Sequence, residues 1–492
     1  MNINLGEKAL KQTIASDALK LTTSKIITMV LSMLTAMLLS RFRTLEEYGT
    51  YSQLLLVINL ITTVIMMGLP NSINFFLARA ETKESRQKFL SIYYTLSTLL
   101  GFLTGLVLVL STPLIISYFS NPLIEKFIYI LAIFPWTKII LSSIDHVLIV
   151  YGKPNSVMLF RVLNSIAILI TIFLVELFDL SFSHYMIMFI ILESLFAIVV
   201  YFIVYGTAGT LRIDFSLKDI RNILKFSLPL GLASVVGRLS VELDKLVIGR
   251  FFSTEDIAIY TNAAREMPVT IIASALTAVL MPRLVRLLRD KEYDEAVNIW
   301  GNSIEISFII ICFVSFGLIV FAPEVISLLY SNKYLPGVNV FRVYSLVLLL
   351  RVTYFGMILN SIGKTKFIFY SSIISLLLNI ILNYVFYLIF GFIGPAIATF
   401  ISLIIVIYLQ LLATSISISI PMHSIFPWMK LLNIMFINVL LAFVFSGLKN
   451  IIHLQQFTGE IGESIILGFL WGVIYLGSQF KSIKSCWKEL NV

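Results

Sequence analysis

The sequence predicts an all-α polytopic membrane protein. The expected architecture is fourteen transmembrane helices, set as two parallel-repeat six-helix bundles around a central cavity, plus two extra C-terminal helices. Three observations lead there. Of 492 residues, 59% are hydrophobic and 13% charged, and the mean hydropathy is +0.96; a soluble domain carries about 45–50% apolar and about 25% charged residues. Too little polar surface is left to face water. Apolar stretches of about 20 residues, enough to cross a bilayer, recur along the chain. One loop motif returns at a fixed offset, which points to duplication.

The spans fall in order at about 18–40, 50–69, 89–110, 126–150, 156–178, 183–205 and 226–250, then 257–281, 298–320, 336–360, 367–389, 392–412, 427–447 and 463–480. All connections are short, about 20 residues at most by these bounds, too short to house a soluble catalytic domain. Asp17 precedes the first run and no small-residue cleavage site follows it, so a cleaved signal is not expected.

The basic residues sort by loop. One face collects Lys8, Lys11, Arg79, Lys83, Arg86, Lys88, Lys153, Arg212, Lys218, Arg221 and Lys225, then Arg283, Arg286, Arg289, Lys291, Lys364, Lys366, Lys430, Lys481, Lys484 and Lys488. The other holds only Arg41, Arg43, Arg250, Lys333 and Lys449. Lys and Arg are retained on the cytoplasmic side, so both termini are expected there. The net charge of +9 is thus mainly a topology signal rather than a nucleic-acid footprint.

The repeat pairs Arg41–Tyr51, after span 1, with Arg250–Tyr260, after span 7, at an offset of 209. Arg, Phe, a hydroxyl residue, Glu, a second acid and a final Tyr coincide. Gly152-Lys153 and Gly363-Lys364 match at an offset of 211. Six spans per copy is an even number, so the halves share one orientation, as in parallel-repeat transporters. The expected domains are 1–210, 211–415 and a tail, 416–492, with two further spans.

Much enzyme chemistry has no signature here. There is no G-x-x-x-x-G-K-[ST] phosphate loop and no H-E-x-x-H. The two cysteines, Cys312 and Cys486, and the four histidines, His146, His184, His423 and His453, are scattered, so no metal site or disulfide framework is expected.

Several motifs resemble the oligosaccharide or polysaccharide repeat-unit flippases, of O-antigen or capsule type, of the multidrug/oligosaccharidyl-lipid/polysaccharide exporter superfamily. Glu46, Glu47, Tyr48, Gly49 and Tyr51 resemble the family's acidic-acidic-aromatic-Gly-x-Tyr pattern, with Leu45 where many members carry Pro. Asp244, Lys245, Ile248 and Gly249 resemble its Asp-basic-x-x-Ile-Gly pattern, and Met281-Pro282 fits too. So does the run through Gly363-Lys364, Asn379, Asn383, Gly391, Gly394 and Ala398-Thr399, with Gly394-Pro395-Ala396 for the usual Gly-Ala-Ala. The resemblance covers nearly the whole chain. It implies a non-enzyme that moves an undecaprenyl-diphosphate-linked oligosaccharide to the outer leaflet of the bacterial inner membrane. It implies no cofactor and no nucleic acid, a monomer in contact with membrane lipid, and the polysaccharide polymerase machinery as a partner. A lipid II flippase and a cation-coupled multidrug exporter of the same superfamily are the alternatives; a membrane-embedded transferase is the enzyme alternative.

An anionic head group needs shielding from hydrocarbon, and Lys or Arg in a wet cavity supplies it. Charges inside a span cost about 2.5–3.5 kcal/mol on insertion scales and so mark cavities or partners. The candidate substrate-binding residues are Lys20, Lys25, Lys138, Arg238, Lys245, Arg265, Arg342 and Arg351. Asp17 and Lys20 can pair at i, i+3. Arg238, Glu242 and Lys245 share one helix face. Asp145, Glu193 and Glu242 are candidates for coupling to a proton or sodium gradient, and Pro135, Pro229, Pro268 and Pro395 for helix kinks.

Overall fold

The structure, a computed structural model, describes residues 2–452 and 455–490. His453 and the two chain ends lie outside the described residues, as does the Asp17 side chain and with it the pairing expected with Lys20. Among the described residues every element is helical.

Eleven helical stretches are long and apolar enough to cross a membrane, and twelve if the bent pair Leu217–Pro229 and Gly231–Phe251 is one span. The protein is therefore a multi-pass membrane protein. The expected spans 367–389 and 392–412 are two separate helices, whereas the expected span 336–360 departs from the sequence pattern. The stretch Thr365–Ile418 is one apolar run of 54 residues, but it breaks at Gly391–Ile393 into helices Thr365–Phe390 and Gly394–Ile418. Gln410 donates to Ser371 at 3.3 Å, while Asn379 donates to Ser402 at 3.2 Å. Those pairings run in opposite senses, so the two helices form an antiparallel hairpin. The expected span 336–360 is instead two short helices, Val338–Leu348 and Met357–Ser361. Between them Trp300 Nε1 donates to Thr353 at 3.0 Å, which holds the irregular stretch.

The chain forms two compact units, Met1–Glu242 with Gly249–Ala258, and Leu243–Ile248 with Ile259–Val492. In the first unit the repeated loop explains itself. Thr44 accepts from Glu47 N at 3.1 Å and Glu47 accepts from Thr44 N at 3.2 Å. In the second copy Ser253 accepts from Asp256 N and Asp256 from Ser253 N, both at 3.1 Å. Each is a reciprocal capping box, satisfying amides that the first turn of a helix leaves unpaired. The copies also touch. A Cβ on Gly49 would lie 1.9 Å from the Thr254 carbonyl oxygen, so only glycine admits this approach.

Both ends of this unit are tied by polar groups. Arg43 donates to Leu180 O at 3.1 Å and pairs with Glu176 at 3.4 Å; Arg250 donates to Ser117 O and Tyr118 O at 3.1 Å. At the opposite end Lys88 pairs with Asp219 at 2.7 Å, Gln87 donates to Ala208 O at 2.7 Å, and Arg86 lies over the Tyr151 ring. The first set comes from loops placed outside by charge and the second from loops placed inside, so alternating directions agree with helix packing. Between the ends lies an apolar core that includes Leu90, Tyr93, Ile140, Ile144, Val200 and Val204. The 43° bend after Pro229 sits where Gly231 meets Met67, whose carbonyl carbon would be 2.1 Å from an added Cβ.

In the second unit the C-terminal helices pack on helix Tyr293–Val320. Lys430 pairs with Glu305 at 2.7 Å, and Lys449 pairs with Glu324. Both pairs are 125 residues apart in sequence, so helix Trp428–Ile452 runs in the same direction as the chain from 305 to 324. The two lysines are 19 residues apart, about 28 Å of helical rise, close to the hydrocarbon thickness. The helix Gln455–Leu490 runs the other way: Tyr475 donates to Ile309 O at 2.9 Å and Asn302 donates to Glu489 at 2.6 Å.

Candidate functional site

The intramembrane charges of the first unit converge. Asp145, on helix Phe134–Val150, takes a two-pronged hydrogen bond from Arg161 of helix Pro154–Leu177, at 2.9 and 3.0 Å. Arg161 also donates to Leu141 O at 3.1 Å. One turn further along, Asn164 donates to Glu193 of helix Phe182–Ala208 at 2.9 Å, and Glu193 is only 6% exposed. Arg238 pairs with Glu242 at 2.7 Å, as their i, i+4 spacing allows; Glu242 is 5% exposed. Lys138 lies within electrostatic range of Arg238, Glu242 and Glu193. It is twelve residues from the Val150 end of its helix, about 18 Å by helical rise and so near mid-bilayer.

Among the described residues, three cations and three carboxylates thus gather in this unit. Two of the cations, Arg161 and Arg238, are committed to ion pairs. Lys138 has no hydrogen bond or ion pair of its own among the described residues, so it is the cation of this cluster free to meet an anion. Beside the cluster, Asn74 is 3.0 Å from His146. Asp145 engages Arg161 rather than its neighbour His146, as expected for adjacent residues on different sides of a helix.

Of the other candidates, Lys20 and Lys25 lie in the first unit and Lys245, Arg265, Arg342 and Arg351 in the second. Lys25 is exposed and Lys20 half-buried on helix Asn2–Phe42. In the second unit, Lys245, Arg265 and Arg351 are half-buried. Arg342 donates to Ile319 O and to Asn339, both at 3.3 Å, which gives it a structural duty. Arg351 sits on the irregular stretch between two short helices, where its backbone N–H donates to Leu348 O at 2.9 Å and its side chain has no hydrogen bond or ion pair among the described residues. Asp244, 1% exposed, accepts from Tyr260 at 3.1 Å and from Tyr344. It therefore ties the last residue of the repeat motif into the core, where Tyr260 packs edge-on against Phe392.

Sequence reasoning assigned no role to Arg161 or Asn164. A signal existed: Asp145 and Glu193 are acids in the spans on either side of helix Pro154–Leu177 in sequence, and each requires a donor at similar depth. Arg161 and Asn164 are the polar residues of the intervening helix one turn apart. Among the described residues no three of His, Cys, Asp and Glu gather as a metal site.

The model of a family described as polysaccharide biosynthesis protein matches residues 38–339. The chain is 24% identical over 245 residues to the probable low-salt glycan biosynthesis flippase Agl15 of Haloferax volcanii, covering 49% of this chain and 52% of that protein. It is 24% identical over 306 residues to the teichuronic acid biosynthesis protein TuaB of Bacillus subtilis, covering 60% and 62%. The chain thus matches only about half to three fifths of the length of these curated relatives. Its fold is similar to that of the lipid II flippase MurJ in an inward closed conformation, with a TM-score of 0.77 at 20% identity, covering 94% of this chain and 99% of that one. It is also similar to an inward-facing multidrug resistance MATE family transporter of the MOP superfamily, with a TM-score of 0.65 at 19% identity, covering 80% and 94%.

Proposed function

The chain belongs to the polysaccharide biosynthesis protein family, and from that premise we propose that it flips undecaprenyl-diphosphate-linked oligosaccharide repeat units from the cytoplasmic to the outer leaflet. It does so by alternating access of two six-helix repeats within a fourteen-span inner-membrane protein, both termini cytoplasmic. The observation that carries this reading is Lys138: a cation without an ion-pair partner at mid-bilayer, inside a cluster whose other cations are paired. The diphosphate supplies the direct hydrogen-bonding anion that Lys138 lacks. Lys138 donates to its oxygens, while Arg161 and Arg238 stay with Asp145 and Glu242 and keep the site from collapsing onto Lys138. Lys25 adds to the cationic route in the first unit, and Arg351 contributes from the second.

Support also comes from the relatives, one named as a glycan biosynthesis flippase and one as a teichuronic acid biosynthesis protein. The carboxylates Asp145, Glu193 and Glu242 couple the movement to a proton or sodium gradient. The protein acts as a monomer and hands its product to the polymerase machinery. A lipid II flippase is the second reading, favoured by the higher TM-score to MurJ, 0.77 against 0.65 for the MATE transporter; a cation-coupled multidrug exporter is the third.

A deletion strain tests the choice. The expected outcome is loss of surface glycan with accumulation of its lipid-linked precursor, restored by the native chain and, at equal expression, not by Lys138→Ala. Accumulation of lipid II instead would select the second reading, and drug sensitivity with normal glycan the third. Full restoration by Lys138→Ala would remove this residue from the route.

A further inference from the structure

Residues 209–216 join helices Phe182–Ala208 and Leu217–Phe251 without being helical themselves. Alternate amides are tied to one neighbour: Arg212 N donates to Ser91 Oγ at 3.1 Å and Asp214 N to Thr95 Oγ1 at 3.2 Å. Ser91 and Thr95 are one turn apart on helix Lys83–Leu110. Four residues of helix rise about 6 Å, and two residues of extended chain cover about 6.6 Å. The segment therefore runs extended along that helix. Thr95 lies six residues past the start of the apolar run at 89, about 9 Å below the membrane surface by helical rise.

The alternation leaves one face outward. Ile213 is 83% exposed, Phe215 58% and Leu217 80%. The first turns of the next helix continue the pattern: Ile223 and Ser227 are buried, while Leu224 and Leu228 face outward. Four cations flank this apolar edge, and Arg212, Lys218, Arg221 and Lys225 are all exposed. Apolar side chains at about 5–10 Å depth with Lys and Arg beside them are the pattern of an interfacial anchor, and cations near the surface favour anionic lipid.

We propose that residues 209–228 form a lipid-binding strap. Ile213, Phe215 and Leu217 insert beneath the head groups, and Arg212, Lys218, Arg221 and Lys225 hold anionic phospholipid of the same leaflet. The amides of Arg212, Asp214 and Ser216 are already satisfied by protein, which lowers the cost of backbone at membrane depth.

The test uses the full chain in vesicles. Cys312 and Cys486 are both buried, so a thiol-reactive, environment-sensitive fluorophore on Phe215→Cys reports this position; Ile213→Cys serves if that variant misfolds. The expected result is blue-shifted emission, and quenching by brominated phosphatidylglycerol about two-fold stronger than by brominated phosphatidylcholine at equal mole fraction. Changing Lys218, Arg221 and Lys225 together to Gln should bring that ratio to about one. Water-like emission without quenching at both positions would overturn insertion and favour a soluble partner. Equal quenching by the two lipids in the native sequence would overturn the anionic selection.

Discussion

At Gly49 one missing methyl group decides a contact between two copies of the same motif. An added Cβ would lie 1.9 Å from the Thr254 carbonyl, and the obstruction is backbone, which yields little. Gly49→Ala should therefore destabilise by about 1–3 kcal/mol, lowering the midpoint of thermal unfolding in detergent. Gly206→Ala, where nothing lies within 4 Å, should leave that midpoint unchanged. Equal midpoints for both variants would refute the close approach. Residues differ in how far their role can be read from the chain alone. The hydroxyl and acid of the repeat are local, so their spacing already encodes the capping boxes of Thr44 with Glu47 and Ser253 with Asp256. The pairing of Asp145 with Arg161 joins two helices; spacing within one helix argues against an Asp145–His146 pair but does not name the donor on the next helix.

Helices show the same division between local and distant causes. Apolar length was enough to place most of them, because a bilayer demands about 20 residues whatever the partner. It failed at 336–360, where the apolar pattern continues but the helix does not; Thr353 is held by Trp300, which lies 53 residues away in sequence. The helix Trp428–Ile452 offers a test of what fastens an element at each end. The cations differ in exposure, Lys449 being 24% exposed and Lys430 57%, while the carboxylates Glu324 and Glu305 are 11% and 5% exposed. Lys449→Ala should thus cost about 3 kcal/mol by leaving a buried carboxylate without its cation, and Lys430→Ala less, because water that reaches the exposed Lys430 takes its place at Glu305. Unfolding in denaturant measures both. A larger loss for Lys430→Ala would contradict the assignment.

For the molecule as a whole, the sorting of basic residues anticipated which loops meet. Lys88 finds Asp219, and Arg86 finds Tyr151, all from loops assigned to one face. What the sorting missed is that, among the described residues, the first unit gathers three cations with three carboxylates. If those carboxylates couple transport to a gradient, flipping in reconstituted vesicles should change several-fold when a proton or sodium gradient is imposed, and Glu193→Gln should blunt the response. Flipping indifferent to both gradients would end that reading. One consequence concerns time rather than space. The first unit includes Gly249–Ala258, whose arginine reaches back to Ser117 and Tyr118 and whose Thr254 meets Gly49. The unit cannot close before residue 258 has been synthesised, roughly 10–50 s after translation begins at about 5–20 residues per second. For that interval the newborn helices wait in the bilayer with the Gly49 notch unfilled, so the seventh helix completes the first six as it arrives.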